Sequence, residues 1–513
     1  MNSSVFKTST LVKNNAGGNA HALTSKEVLA QIAVTGTFNN TYYASGQTQL
    51  DLITEHASKV DAEFIAKLAI YARHSAFMKD TPAVLLAILV NKDTELFKRV
   101  FNIVVTDGKI LKNFVKVMRS GAINGRKSLG TCAKKAVKNW LNNRNPDQVV
   151  WDSIGNDPSL SDVIKMVHPN PQDTMRSNLY SYLIGKDFNV DFLPSNIKAY
   201  ELFKSGKSSD IPNVPFQKLD SLNLSVGEWK EVFKNASWQM TRMNLNTALR
   251  QCVLDDPSMV KLIANRLRDP DQVKSARNLF PYQILNAYMN INPGVPMDIK
   301  NALQDAMEIA TENIERIDGG VIVCPDVSAS MSQSVTGSVS YGSPQSSVQC
   351  VDVAALIAAS YMRVNQNDCN VIPFEHRICD TSKLNPRDSV MTNANYLSKM
   401  CGGGTNCSLA LKHANDKGMK ANAVIFVSDN ESWMDNRWGN KTAMENEWKI
   451  FKKNNPEAKL ICIDITPNNT TQAKSRNDVL NVGGFSDNVF NVINGFTNNS
   501  SENFVKVIDG VRF

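Results

Sequence analysis

Near residue 318 the periodicity of the chain changes, and that break constrains its architecture more than any other feature. From about residue 24 to 316, apolar residues recur at i, i+3, i+4 and i+7, as in EFIAKLAIYARHSA, TPAVLLAILVN, DTELFKRVFNIVV and MVKLIANRLRD. That spacing lines one face of an amphipathic helix. Start signals punctuate the segments: Asp80-Thr81-Pro82, Asp255-Asp256-Pro257 and Asp269-Pro270-Asp271 each set a capping carboxylate beside a first-turn proline. Connections are short, which favours antiparallel helix pairs. Only the stretch 205–226 breaks the period, and it reads as a long loop. After residue 318, short branched runs (GGVIVCPDV, NVIPFE, NAVIFVSDN, AKLICIDIT, NVFNVI) alternate with helical ones (VDVAALIAASYM, CSLALKHANDKG, MENEWKIFKK, ENFVKVIDGV). Such alternation predicts a doubly wound, Rossmann-like α/β domain. The expected fold is thus multidomain, α plus α/β. A HEAT-like α-solenoid of roughly 40 residues per repeat spans 24–318, and the α/β domain spans 319–513. No letter pattern repeats, so an irregular helical bundle is the alternative for the first part.

Composition narrows the chemistry. The nine cysteines are odd in number and form no C-x-x-C pair, which argues against a disulfide framework or zinc knuckle and for thiols in a reducing compartment. Six histidines lie scattered without an H-E-x-x-H pair. The longest clean apolar run, Ala83 to Val90, falls far short of the about 20 residues a membrane span needs. Residues 1–23 are polar, without an apolar leader segment. They are expected to form a poorly ordered arm on a cytoplasmic protein.

The net charge of +7 is unevenly spread. Residues 101–150 carry ten basic and two acidic side chains. In KILKNFVKVMR, Lys109, Lys112, Lys116 and Arg119 share one helical face. In the next helix, Lys127, Lys134 and Lys138 share another, with Arg126 and Lys135 at its margins. The turn between them, SGAINGR, offers free backbone N–H groups. Two basic stripes in succession suit the phosphates of a nucleic acid. A solvated face is the plain alternative. Arg176 and His168, in the turn His168-Pro169-Asn170-Pro171, extend the candidate RNA surface.

A second constellation follows the strands. VIVC runs into Asp326, Ser328 and Ser330 as D-x-S-x-S. The turn Gly402-Gly403-Gly404-Thr405 adds a hydroxyl, and strand AVIFVS ends in Asp429. Five hard oxygen donors at strand ends suit Mg²⁺ or Mn²⁺ and not zinc. Neutral hydroxyls leave such an ion residual positive charge, open to an acidic partner or a phosphate. No histidine or lysine stands beside D-x-S-x-S as a general base, so a binding site is expected rather than a catalytic one.

A helical region followed by DVSASMS, GGGTNCSLA and VSDNES, together with WQMTRMNLNTALR, ARNLFPYQILNAY, GRKSLGTCAKKAVKNWL and MVHPNP, resembles the Ro autoantigen (TROVE-domain) family of RNA-binding proteins, of the bacterial or phage type. The likeness runs from about residue 24 to 513. It implies helices closed into a ring, with a von Willebrand factor A domain carrying the metal site. It implies noncoding Y RNA on a basic outer face, and single-stranded 3′ ends of misfolded or structured RNAs in the ring cavity. RNA quality control, maturation or decay would follow, with an exoribonuclease tethered through RNA to a monomeric, non-enzymatic protein. Two departures stand out. Asn406 follows the threonine where many members carry aspartate, and WDSIGNDPSLSDVIKMVH is acidic where animal members are basic. The competing reading is a Mg²⁺-dependent protein–protein adapter built on the A domain.

Overall fold

A computed structural model describes residues 12–14, 18–35, 46–155, 157–171, 173–275, 279, 281–335, 347–429, 432, 442–466, 470–484, 489–498 and 504–513. Residues 336–346, most of a Ser/Gly-rich stretch after D-x-S-x-S, lie outside the described residues.

The chain begins with strands β1 (Val12–Lys13) and β2 (Asn19–Ala22) and helix α1 (Ser25–Thr35). Packing divides it into two units, one of residues 60–262 and 511–513, the other of 1–59 and 263–510. The sequence reading instead divides the chain at residues 23 and 318. A change of period marks a change of element type, whereas burial decides which elements share a core.

The first unit is all helix. Helices α2 (Ala62–His74), α3 (Thr81–Lys92), α4 (Thr94–Val104) and α5 (Gly108–Ser120) pack on one another, then α6 (Gly130–Asn143), α7 (Leu160–Val167) and α8 (Thr174–Ile184) continue the stack. The ring stack of Phe97, Phe101 and Phe114, with centroids 5.2–5.8 Å apart, shows how the i, i+4 apolar stripes meet. Asp93 and Asp107 cap α4 and α5 by accepting from the first backbone N–H groups. Asp80 does not cap α3: its Oδ1 accepts instead from Asn113 Nδ2 at 2.5 Å. The expected loop at 205–226 contains a short helix at Phe216–Asp220 whose Phe216 and Leu219 are buried.

The second unit carries a parallel five-stranded sheet in the order β4-β3-β5-β6-β8. Its strands are β3 (Val321–Pro325), β4 (Cys369–Val371), β5 (Ala423–Ser428), β6 (Lys459–Asp464) and β8 (Val479–Gly483). Strands β3, β5 and β8 are buried throughout, as in parallel sheets covered on both faces. Helix α9 (Cys350–Asn365) packs on β3, while α10 (Ser408–Asp416) packs on α11 (Ala443–Asn454) over a core holding Phe374, Phe426, Trp448 and Phe451. The order reverses between β3 and β5, so their carboxyl ends frame the crevice where ligands of such sheets bind.

Two expectations fail here. NVFNVI is not the last strand: Val489–Asn498 is a helix, and VLNVG takes the strand position. Short apolar runs fit either period, and Val489, Phe490, Ile493 and Phe496 sit at helical spacing. Nor is the amino-terminal segment an idle arm over its described part. β2 pairs antiparallel with β1 and with β7 (Thr470–Thr471), and α1 packs on β8. A Cβ built on Gly483 would lie 2.4 Å from Gln31 Cβ and 2.8 Å from its Cα, so only glycine permits this approach. Gly483→Ala is expected to cost about 1–3 kcal/mol, read as a lower denaturant midpoint with an unchanged slope.

Candidate RNA surface and metal centre

Helix α5 starts where it does because Gly108 can press against Asp152. The Gly108 amide donates to Asp152 Oδ1 at 2.7 Å, and an added Cβ would overlap Asp152. Arg144 pairs with the buried Asp152 at 2.7 Å, which fixes the segment after residue 150 beside α5. That acidic segment changes the first basic stripe. Lys112 is buried and donates to the carbonyls of Ile154 and Gly155, and burial holds its pKa below the usual lysine value. Lys116 pairs with Asp157 at 2.5 Å. Lys109 and Arg119 stay exposed. A shared helical face therefore does not make four equivalent phosphate ligands.

The second helix begins at Gly130, so Lys127 precedes it and does not share its face, yet Lys127 still lines one cleft with Lys134, Lys135 and Lys138. At its entry Gly130 adopts φ +70°, and Arg126 folds over it. The Arg126 guanidinium donates to Ser128 O at 2.9 Å, Leu129 O at 3.0 Å and Asn91 Oδ1 at 2.5 Å. These bonds hold it against the turn. Around this turn opens a cleft of about 620 Å³ lined by Arg119, Lys127, Lys134, Lys135, Lys138 and Met166, with no acidic side chain on its wall. Ser128 and Thr131 also line it and were missed in the sequence, where hydroxyls carry no charge signal.

Two further RNA candidates separate. Arg176 is buried, paired with Asp173 at 3.2 Å, and donates to the carbonyls of Leu141 at 2.9 Å and Arg144 at 2.7 Å. It ties α8 to the end of α6. An arginine close to a basic run reads as surface in sequence, and only packing shows it inside. His168 is exposed, in left-handed conformation at the carboxyl end of α7. It lines a different cleft of about 460 Å³, with Lys165 and Lys186.

The five predicted oxygen ligands are all buried, and the loops of Asp326, Ser328 and Ser330 and of Gly402 to Gly404 are tied to one another at the reversal of the sheet. Asp326 and Asp429, which follow the ends of β3 and β5, have no exposed surface, and Ser328, Ser330 and Thr405 are buried as well. Ser328 Oγ lies 3.2 Å from Ser330 Oγ. The loops are laced by backbone bonds: Ala329 N donates to Gly403 O at 3.1 Å, and Gly402 N to Val327 O at 2.8 Å. Gly403 has φ +70°, and the space of a Cβ is taken by Glu375 Oε2 and His376 Nδ1, so this turn needs its central glycine.

Asp326 accepts from Ser328 N at 2.8 Å and from Ser428 Oγ at 2.6 Å, both neutral donors. Burial, then the negative charge of Asp429, push the Asp326 carboxyl up to about 7. Two carboxylates buried together with hydroxyl oxygens fit a hard divalent cation, whose charge would offset their repulsion. Among the described residues no three His, Cys, Asp or Glu side chains gather as a metal cluster. The set rests on two carboxylates and three hydroxyls. Sequence reasoning missed Ser428, which steadies Asp326, and the buried Glu375, which pairs with Arg377 at 2.9 Å and His376 at 3.4 Å. Asn406 does not extend the donor set; its Oδ1 accepts from Ser408 Oγ at 2.8 Å at the start of α10. All nine cysteines are free thiols.

With this geometry in view, comparison with known proteins is informative. Residues 321–497 match the family described as the Ro60 vWA domain. The RNA-binding protein RO60 of Deinococcus radiodurans is 22% identical over 525 aligned residues, covering 94% of this chain and 95% of that protein. The crystal structure of the Deinococcus radiodurans RO (RSR) protein superposes with a TM-score of 0.63 at 18% identity, over 92% of this chain and 99% of that one. The helical solenoid joined to a von Willebrand A domain is therefore a fold this chain shares with a solved protein.

Proposed function

We propose, on the premise that this chain is a member of the Ro family with a Ro60-type von Willebrand A domain at residues 321–497, that it is a non-enzymatic RNA-binding protein. The observation that carries this reading is the cleft walled by Arg119, Lys127, Lys134, Lys135 and Lys138 without an opposing acid. Five cations on one concave wall attract a polyanion and fit successive phosphates of a folded strand. The name of the Deinococcus relative, RNA-binding protein RO60, supports the same ligand class.

The finer reading is that a small noncoding Y RNA occupies this basic surface. Single-stranded 3′ ends of misfolded or structured RNAs would enter the cavity of a helical ring, for quality control, maturation or decay. Recognition would rest on shape and unpaired ends more than on a base code. An exoribonuclease tethered through the RNA would perform any cleavage, and the protein would work as a cytoplasmic monomer. No helix among the described residues is long and apolar enough to cross a membrane.

Gel-shift titration of a structured RNA, with and without a free 3′ tail, at two salt concentrations tests this. Five neutralised phosphates give a slope of log K against log salt of about −3.5 for a single strand. Absence of salt-sensitive binding to both RNAs would sink the reading.

The buried carboxylates of Asp326 and Asp429, with the buried hydroxyls of Ser328, Ser330 and Thr405, favour a second reading, a Mg²⁺- or Mn²⁺-dependent adapter. Those five side chains would hold the ion, which when bound supplies an open coordination position for an acidic group of a partner protein. Partner capture abolished by a chelator and indifferent to charge reversal at Lys134–Lys138 would favour the adapter over the RNA reading.

A further inference from the structure

We propose that residues 12–14 and 18–22 act as a strap that positions Ser432 and, through it, the threonine turn beside Asp429, with Asn14 as the positioning residue; the proposal rests on the divalent-cation reading of that site. Asn14 stands at the turn between β1 and β2 and is only 6% exposed. Its Oδ1 accepts from Gly18 N at 2.7 Å, which orients the amide, and its Nδ2 donates to the carbonyl of Ser432 at 2.9 Å. Ser432 lies three residues beyond Asp429 and is fully buried. Its Oγ accepts from the amide of Cys407 at 3.1 Å, two residues beyond Thr405. One side chain from a distant part of the chain thus holds Ser432, which in turn holds the amide of Cys407 beside the threonine turn.

The strap is itself anchored at two further points. β2 pairs with β7, His21 against Thr471 and Ala22 against Thr470. His21 Nε2 lies 3.0 Å from Glu445 Oε2 of α11, both side chains buried. A strand secured on both sides can hold Asn14 in register. Ligands from three separate loops bind an ion tightly only when those loops are already in place, because each loop ordered on binding subtracts from affinity. Asn14 supplies part of that order before the ion arrives.

The test uses the full-length protein. Mn²⁺ affinity is measured by electron paramagnetic resonance for the wild type, Asn14→Ala and Asp326→Asn. Hydrogen exchange is measured without metal over residues 404–409 and, as an internal control, over α9. Asn14→Ala is expected to bind Mn²⁺ with unchanged stoichiometry and about five-fold lower affinity, the loss of one hydrogen bond. Its 404–409 amides should exchange faster while α9 stays protected. Unchanged affinity overturns the proposal, whether or not exchange accelerates, since the strap would then be structural only. If the wild type takes up no Mn²⁺ beyond what Asp326→Asn does, the cation reading fails by itself. In that case faster exchange in Asn14→Ala still supports the strap's hold on the loop, and unchanged exchange overturns that as well.

Discussion

Lys134→Glu/Lys135→Glu/Lys138→Glu is expected to weaken binding of a tailed, structured RNA by about 100-fold or more at low salt, and to flatten the salt dependence by about 2 in slope. The three lysines share a cleft wall with Arg119 and Lys127, so reversal replaces attraction by repulsion at three adjacent phosphate positions. The contrast that gives this result meaning lies in the neighbours that look equivalent in sequence. Lys112→Ala and Arg176→Ala should leave the slope unchanged and lower stability instead, by about 1–3 kcal/mol each. Lys112 spends its ammonium on the carbonyls of Ile154 and Gly155, and Arg176 on those of Leu141 and Arg144. Gel shifts report the slope, and denaturant midpoints report stability. A triple mutant that binds as the wild type moves the RNA elsewhere on the protein.

Mg²⁺ should stabilise the protein, and increasingly so as pH rises through 7. Asp326 has its folded pKa raised to about 7 by burial and by Asp429, from an ordinary 3.8. Between about pH 4 and 7 the folded protein therefore holds a proton that the unfolded chain has released. Metal-free stability must fall as pH rises through that window, because ionisation favours the unfolded chain while burial and Asp429 keep the folded Asp326 protonated. A cation at a hundred times its dissociation constant restores about 2.7 kcal/mol. Thermal scans from pH 5 to 8, with Mg²⁺ and with chelator, should show curves that diverge above pH 7. Asp326→Asn should abolish the divergence while leaving the metal-free protein at least as stable as the wild type at pH 8. A wild type indifferent to Mg²⁺ at pH 8 rules out a cation at this site and leaves the carboxylates as buried structural acids.

Legibility in the sequence followed the range of the interactions. The loops after β3 and β5 could be read because Asp326 and Asp429 each follow a strand, whereas Thr405 sits in a turn between two helices. D-x-S-x-S after VIVC and the glycine turn before Thr405 are local signals, and the parallel sheet brings the ends of β3 and β5 together by topology. The basic wall was legible for the same reason: charge on α6 survives folding where nothing packs over it. The failures came from contacts between distant segments. The acidic loop after residue 150 covers part of α5, and nothing within KILKNFVKVMR foretells that Lys112 will be buried. The segment Asn19–Ala22 has no periodicity of its own and pairs as a strand with β1 and with the edge that β7 offers.

By itself, then, the sequence determined the two element types, the Asp- and Ser-bearing loops at the ends of β3 and β5 and the sign of the exposed charge, since these depend on spacing within a few residues. Tertiary structure alone decided which cations reach solvent and which serve the backbone, that 489–498 is a helix rather than the last strand, and that Asn14 reaches the loop beyond Asp429. Those outcomes depend on what is buried against what, and burial is a property of pairs of segments tens to hundreds of residues apart.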